Sequence, residues 1–132
     1  MEKITSLLAV RGASVAVVGA TDNLRKYGAI IYRDLKTKGF VVYAVNLHRA
    51  TVDGDPAYAT LADLPVAPTV VNFVVPPEET LAVLEQSLEL GYTDVWVQPG
   101  AESVRVLEYL EDKPFNYLTS ACIMVSAPRP AA

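Results

Sequence analysis

The stretch VAVVGATDNLRKYG, residues 15–28, contains the residue types that hold a phosphate group. An apolar run ends at Gly19, small polar residues follow, and Arg25 and Lys26 come just before a helix-like pattern. Backbone N–H groups at the start of a helix attract anions, and a glycine lets a ligand approach the main chain closely. The two cations would neutralise phosphate charge. The stretch therefore predicts a turn that binds a phosphate-bearing ligand.

Polar residues and turn residues also follow the other apolar runs of the chain. They are Asn46, His48 and Arg49 after the second run, Pro76 after the third, and Gln98, Pro99 and Gly100 after the fourth. In a parallel sheet the carboxyl ends of the strands lie at one edge, where ligands bind. We expect these residues to share one site with the turn after Gly19.

The spacing of the turn does not match the known nucleotide motifs. A dinucleotide turn has G-x-G-x-x-G and an acid at the end of the second strand for the ribose hydroxyls. Here Thr21 stands in place of the second glycine, and Asn46 stands in place of the acid. The G-K-S/T ending of the other phosphate loop is also absent. NAD is disfavoured on two counts, although an NAD(H)-binding redox enzyme or sensor stays open as an alternative.

The sequence contains no recognisable set of catalytic or metal-binding residues. His48 is the single histidine and Cys122 the single cysteine, which excludes an internal disulfide and a cysteine-based metal cluster. Cys122 lies in the apolar stretch ACIMV, which is typical of an inert buried thiol. Asp22 fits a helix cap better than a general base. We therefore expect a protein that binds its ligand without chemistry.

The elements that must position these residues alternate between strand and helix. Short, valine-rich apolar runs predict strands at 14–19, 40–46, 69–75 and 93–98, and a fifth strand within 115–125. Helices are predicted at 2–10, 27–39, 78–91 and 102–112, with Pro76 and Pro77 suited to the start of the third helix and glycines at two ends. The segment 47–65 is rich in turn residues, with a short helix within ATLADL.

This pattern predicts one α/β domain. Strands that are apolar nearly throughout indicate a parallel sheet that is covered on both faces. We predict a Rossmann-like, doubly wound, five-stranded parallel sheet over residues 1–126, with helices on both faces and a flexible tail at 127–132. The ligand is expected where the winding reverses, at the exit of the first strand.

Composition limits the partners of the protein. Of the 132 residues, 52% are hydrophobic and 20% charged, which is typical of a soluble globular domain. The net charge is −4, yet residues 1–50 carry eight Lys/Arg against three acids, and the remainder carries three against twelve. An acidic chain is a poor general binder of nucleic acid. The sequence shows no membrane-spanning run and no signal-peptide pattern, so we expect a cytoplasmic protein.

Six segments taken in order carry a resemblance to a known family. VVGATDNLRKYG, YAVN, DPAYATLADLP, NFVVPPEETLAVLEQSLELG, VWVQPGAES and CIMV resemble the small stand-alone CoA-binding proteins. These proteins are similar to the CoA-binding domain of the succinyl-CoA synthetase alpha subunit. The resemblance runs from about residue 10 to residue 125. It implies a Rossmann-like fold that holds coenzyme A by its nucleotide end.

The resemblance also implies a role for each matching residue. The turn residues Gly19, Ala20, Thr21, Asp22 and Asn23 would face the pyrophosphate, Lys26 would contact phosphate, Val45 and Asn46 would lie at the adenosine side, and Val75, Pro76, Gln98, Pro99 and Gly100 would line the other wall. Where the family commonly has Pro-Lys, this chain has Leu47 and His48. Arg49 is the substitute expected to contact the 3′-phosphate, and His48 is either a phosphate contact when protonated or a plain loop residue.

The predicted function is that of a non-catalytic module that binds CoA or an acyl-CoA as a carrier, sensor or regulatory partner. Two alternatives remain beside it, the NAD(H)-binding redox protein and an interaction subunit that holds no nucleotide. A homo-oligomer or a protein partner is compatible with each of them.

Overall fold

The computed structural model describes residues 3–132 as one sheet with helices on both faces. The strands are β1 (Ser14–Val18), β2 (Val41–Val45), β3 (Thr51–Val52), β4 (Asp55–Tyr58), β5 (Val70–Phe73), β6 (Asp94–Val97) and β7 (Asn116–Leu118). The helices are α1 (Ile4–Leu8), α2 (Tyr27–Thr37), α3 (Pro77–Glu89), α4 (Val104–Asp112) and α5 (Ile123–Ser126), with a 3₁₀ turn at Leu61–Asp63. Residue 2 of the predicted first helix lies outside the described residues.

The strand order confirms a mostly parallel sheet in which the winding reverses at β1. The order is β3-β4-β2-β1-β5-β6-β7, and β3 alone of these strands runs antiparallel to its neighbour. β1 pairs with β2 on one side and with β5 on the other. The order of the six parallel strands is compatible with a Rossmann-like fold. The prediction of five strands was wrong, because the sheet has seven.

The two extra strands form a hairpin inside the segment that was expected to hold only turns and a short helix. β3 and β4 are joined by Asp53 and Gly54, which have φ angles of 51° and 79°. A two-residue turn with positive φ at both positions matches the right-handed twist of the strands it joins, and Asp-Gly is a preferred sequence for it. The 3₁₀ turn that follows occupies the place of the short helix predicted within ATLADL.

The predicted fifth parallel strand is shorter than expected and ends in a helix. Of the stretch 115–125, Asn116–Leu118 is strand, and α5 begins at Ile123. Ser120 between them has a φ of 59°, which interrupts the extended backbone. Two side chains of β6 and its exit hold this connection, because the Trp96 indole donates to the carbonyl of Ala121 at 2.8 Å and Gln98 Oε1 accepts from the Ile123 amide at 2.8 Å.

The core consists of two apolar layers, one on each face of the sheet. α1, α2 and α5 cover one face, where Leu8, Leu35 and Ile123 are fully buried. α3 and α4 cover the other face with Leu84 and Leu110. All five positions of β1 are buried. A central parallel strand covered on both faces requires this continuous apolar sequence, and the valine run of β1 supplies it.

A polar cluster ties α2 to β4, the second strand from the edge of the sheet. The Tyr32 hydroxyl donates to Asp55 Oδ2 at 2.8 Å, and Lys36 Nζ lies 2.8 Å from the same oxygen. The hydrogen bond from Lys36, followed by that from Tyr32, holds the pKa of Asp55 below its usual value. Burial, and then the hydrogen bond to Asp55, raises the pKa of Tyr32. Tyr32 therefore stays a neutral donor, and the cluster fixes α2 against the hairpin.

Candidate ligand-binding site

Two glycines bring three chain segments together at the exit of β1. Gly19 has a φ of 101°, and a Cβ added there would lie 2.8 Å from the carbonyl oxygen of Val74. A Cβ added at Gly28, in the first turn of α2, would lie 2.0 Å from the carbonyl oxygen of Gly19. Only glycine fits either position. Gly28 was not among the predicted site residues, yet it allows the close helix–strand packing for which dinucleotide turns use their third glycine.

The residues between Gly19 and α2 form a turn held by short-range hydrogen bonds. The Asn23 amide donates to Thr21 Oγ1 at 3.2 Å, and the Arg25 amide donates to Asn23 Oδ1 at 3.1 Å. Side chains of this kind stabilise turns by bonding to the main chain two residues away. α2 begins only at Tyr27, with Lys26 as the residue that precedes it.

Asp22 joins the turn to the hairpin and does not cap α2, so that expectation was wrong. Its Oδ1 accepts from the Asp53 amide at 2.8 Å, and its Oδ2 lies 3.7 Å from Arg49 Nη1. Because α2 begins five residues later, its first amides lie beyond the Asp22 carboxylate. The carboxylate instead satisfies the backbone of the tight turn at Asp53.

Asn46 connects the β1 turn to the loop after β2. Its Nδ2 donates to the carbonyl of Ala20 at 2.8 Å, and its Oδ1 accepts from the His48 amide at 2.8 Å. Both ends of the amide are therefore occupied by main-chain partners. Asn46 fixes the position of His48 relative to the turn.

A first cavity of about 530 Å³ opens at the carboxyl ends of β1, β2 and β5. Eight of the predicted site residues line it: Gly19, Thr21, Lys26, Val45, Asn46, His48, Val75 and Pro76. The opposite wall consists of residues that the sequence analysis missed, namely Thr60, Leu61, Glu79, Ala82, Val83 and Gln86. The four of them on α3 share one face at helical spacing, so the pattern was present in the sequence.

A second cavity of about 550 Å³ lies beside the first. The predicted residues Gln98, Pro99 and Gly100 line it, together with Tyr27, Pro77, Ala101 and Cys122. Lys26, Val74, Val75 and Pro76 line both cavities. The two cavities therefore adjoin along the exit of β5, with one lysine facing both.

Five predicted site residues do not line either cavity. They are Ala20, Asp22, Asn23, Arg25 and Arg49. Ala20 is fully buried, and Asp22 and Arg49 face each other across two loops. The remaining two belong to the surface of the turn.

Cys122 differs from the inert buried thiol that was expected. It is only half-buried and lines the second cavity, where Gln98 Nε2 lies 3.4 Å from its sulfur. Among the described residues, no group of His, Cys, Asp and Glu is arranged to hold a metal ion. Among the same residues no helix is long and apolar enough to cross a membrane.

Comparison with known proteins decides the family. A family model described as a CoA binding domain matches residues 13–128, a range that includes both cavities. The chain belongs to the CoA-binding domain family. The resemblance seen in the sequence is thereby confirmed.

Solved structures similar to this CoA-binding domain include chains of about its own size. A conserved hypothetical protein from Pyrococcus furiosus is 40% identical with a TM-score of 0.84, and the match covers 87% of this chain and 99% of that one. A hypothetical protein from Pyrococcus horikoshii is 26% identical with a TM-score of 0.82, covering 92% and 84%. The domain thus occurs as a chain with little else attached.

The same fold also forms part of a larger enzyme. The dinucleotide forming acetyl-coenzyme A synthetase 1 of Ca. Korarchaeum cryptofilum, solved with phosphate and ADP, is 24% identical with a TM-score of 0.68. The match covers 83% of this CoA-binding domain and 25% of the synthetase. At that identity the likeness concerns the fold.

Proposed function

We propose that this domain binds CoA or an acyl-CoA as a non-catalytic carrier, sensor or regulatory module. The observation that carries the proposal is the pair of adjoining cavities at the carboxyl edge of the sheet, in a chain of the CoA-binding domain family. We assign the nucleotide end of the ligand to the first cavity and its thiol-bearing arm to the second. The Rossmann-like character of the fold and a cytoplasmic location belong to the same proposal.

The turn after β1 supports the assignment of the phosphates. Gly19 packs so closely against Val74 that no Cβ would fit there, which sets the path of the turn, and α2 begins behind the turn with no side chain bonded to its first amides. The amides at the start of a helix attract anions. Lys26, which lines both cavities, stands where the diphosphate of CoA would pass from one cavity to the other.

The second cavity supports the assignment of the arm. Its walls combine apolar groups such as Val75, Pro77 and Ala101 with the polar Gln98. The arm of CoA is a chain of methyl and methylene groups interrupted by amides, which suits a mainly apolar pocket with few polar groups. The half-buried thiol of Cys122 lies along this wall.

NAD(H) is the second candidate. The strand order is the one feature that favours it. The ribose of a dinucleotide needs an acceptor at the end of the second strand. Asn46 occupies that place, and its amide is already bonded to Ala20 and His48. CoA therefore accounts for the site better than NAD does.

The test is calorimetric titration of the nucleotide-free protein with CoA and, separately, with NAD at near-physiological salt. We expect micromolar binding of CoA that exceeds the binding of NAD. Lys26→Gln should weaken CoA binding about fivefold to tenfold because a charge-assisted contact is lost. Lys113→Gln is the matched control, since it removes the same charge at the far end of α4 and should leave the affinity unchanged.

Three results would contradict the proposal. If CoA does not bind at all, the domain is better explained as an interaction subunit without a nucleotide. If NAD binds more tightly than CoA, the result favours an NAD(H)-binding redox protein over a CoA-binding module. Equal weakening by Lys26→Gln and Lys113→Gln would mean that overall charge, and not the cavity, governs the affinity.

A further inference from the structure

We infer that the second cavity takes uncharged acyl groups, so that this domain binds thioesters of neutral acyl chains and discriminates against those whose acyl group ends in a carboxylate. This inference rests on the proposed function, because it concerns the acyl group that would extend from the thiol-bearing arm. It follows from the charged groups along the second cavity, which are a cation at the end where the arm enters and a carboxylate beside the opposite end.

The cation of the second cavity lies at the end that adjoins the first cavity. Among the described residues that line the second cavity, Lys26 is the only lysine, arginine or histidine. It also lines the first cavity, and the diphosphate is assigned to the boundary between the two. Tyr27, the next residue of the chain, belongs to the same end and is 67% exposed. A Lys26 that binds phosphate leaves no cation of the lining for a carboxylate on the acyl group.

The opposite end of the second cavity is formed at the exit of β6. In the sheet, β6 lies on the far side of β5 from β1, and the loop after β6 supplies Gly100 and Ala101 to the wall. Cys122, the residue before α5, completes this end. Neighbouring strands of a sheet lie about 4.8 Å apart. An arm that passes Lys26 therefore crosses the exit of β5 and brings its thiol end to these residues.

A carboxylate lies beside this far end. Glu102 directly follows Ala101, which is buried and lines the cavity. Its Oε2 accepts from the amide of Ser120, two residues before Cys122, at 3.1 Å. This hydrogen bond joins the two segments that form the far end and holds the carboxylate next to them. Glu102 is half-buried, which reduces the screening of its charge by solvent, and no ion pair within residues 3–132 neutralises it.

The other groups at the far end do not favour a carboxylate either. The walls are mainly apolar, and the buried polar side chain among them, Gln98, already has partners. Its Oε1 accepts from the Ile123 amide at 2.8 Å, and its Nε2 lies 3.4 Å from Cys122 Sγ. An acyl carboxylate placed here would lose water without gaining a cation, and it would meet the like charge of Glu102. An alkyl group of the same size would instead bury apolar surface.

The test compares two thioesters of similar shape. Isovaleryl-CoA carries an isopropyl group where malonyl-CoA carries a carboxylate, so the two acyl groups have equal numbers of heavy atoms and differ in charge. Each is titrated calorimetrically into the unaltered protein at neutral pH and near-physiological salt, beside CoA itself. We expect isovaleryl-CoA to bind about threefold to tenfold more tightly than CoA, because its methyl groups leave water.

The measured quantity is a ratio, the dissociation constant of malonyl-CoA divided by that of isovaleryl-CoA. Both thioesters carry the same phosphates and the same arm, so the contributions of those groups cancel. We expect a ratio of about ten or more in the unaltered protein, the effect of burying a carboxylate without a partner.

Glu102→Gln tests the part that the neighbouring carboxylate plays. Glutamine keeps an oxygen that can accept from the Ser120 amide and removes the charge. The ratio should fall about threefold, the effect of one partly exposed pair of charges. Glu111→Gln is the matched control, because it removes the same charge from the last turn of α4, outside the lining of both cavities, and should leave the ratio unchanged. An equal ratio in both variants would overturn the role of Glu102.

The inference and the proposed function fail in different ways. If neither CoA nor either thioester binds, the proposed function is wrong. If CoA binds and the ratio is one, the acyl group lies outside the cavity and the inference alone is wrong. If CoA binds and both thioesters do not, the cavity admits only the free thiol, which also overturns the inference. Tighter binding of malonyl-CoA than of isovaleryl-CoA would assign Lys26 to the acyl group instead of the diphosphate.

Discussion

At the scale of single residues, the contact between Gly19 and Gly28 decides which substitutions the turn after β1 tolerates. A glycine in a helix is usually improved by alanine, which stabilises the helix by about 1 kcal/mol. Gly28→Ala should do the reverse, because its Cβ would lie 2.0 Å from the carbonyl oxygen of Gly19. We expect a loss of about 1–3 kcal/mol in the free energy of unfolding, measured by urea denaturation.

Gly12→Ala is the control for this prediction. Gly12 has a φ of 77°, and an added Cβ there has no atom within 4 Å. Its substitution should cost only the strain of the left-handed backbone, about 1 kcal/mol, and leave CoA affinity unaffected. If Gly28→Ala instead stabilises the protein as an ordinary helical alanine would, the close contact at the turn is wrong.

Residue types could be predicted from the sequence more readily than their contacts. Gly19, Lys26 and Asn46 follow from the order of motifs along the chain. The pairing of Asp22 with Arg49 does not, because it joins two loops that are far apart in sequence. Arg49, which the sequence analysis expected to contact the 3′-phosphate, pairs with Asp22 and lines neither cavity. Local patterns carry no information on which of two adjacent side chains faces a cavity.

At the scale of elements, the parallel strands were predictable and the hairpin was missed. β1, β5 and β6 are short valine-rich runs that are almost entirely buried, and burial on both faces leaves that pattern in the sequence. β2 has the same valine-rich pattern, although only its last two residues are buried. β3 lies at the edge with β4 next to it, and both are partly exposed, so they lack it. The one local signal was Asp53-Gly54, a preferred pair for a two-residue hairpin turn. The strand predicted within 115–125 was too long for a different reason, because the end of its apolar run ACIMV forms α5 and not strand.

Asp22 links the turn after β1 to the β3–β4 hairpin, and this link can be tested. Asp22→Ala removes the acceptor of the Asp53 amide, a bond of 2.8 Å. We expect the Asp53 amide to exchange with solvent about fivefold faster, as the loss of one hydrogen bond implies. Amide hydrogen exchange followed by NMR measures it directly.

The matched control removes the other partner of the same carboxylate. Arg49→Ala abolishes the ion pair at 3.7 Å and leaves the amide bond in place. Exchange at Asp53 should then be unchanged. Equal acceleration in both variants would show that the ion pair, and not the backbone hydrogen bond, connects the turn to the hairpin.

At the scale of the whole molecule, a ligand across the two cavities would contact segments that lie on both sides of β1 in the sheet. The first cavity is built from the exits of β1, β2 and β5 and from α3, and the second adds the exit of β6. The cationic N-terminal part of the chain supplies Lys26 and His48, and the acidic remainder supplies Glu79. Binding should therefore stabilise the domain as a unit.

This expectation gives a prediction for thermal unfolding. A ligand present at 100 times its dissociation constant stabilises the native state by about 2.7 kcal/mol. For a chain of 132 residues this corresponds to a rise in Tm of about 10 °C. Trp96 is the single tryptophan and is fully buried against α5 and its connection, so its fluorescence reports loss of the core. CoA should raise Tm, and NAD at the same concentration should not.

The shape of the transition carries as much information as its midpoint. Because Trp96 packs in the layer under α1, α2 and α5, its signal comes from the face opposite to α3 and the first cavity. If both layers unfold together, CoA shifts the fluorescence transition and the far-ultraviolet circular dichroism transition by the same amount. A shift seen by circular dichroism alone would mean that the two layers unfold separately, and that the ligand stabilises only the part of the molecule that surrounds it.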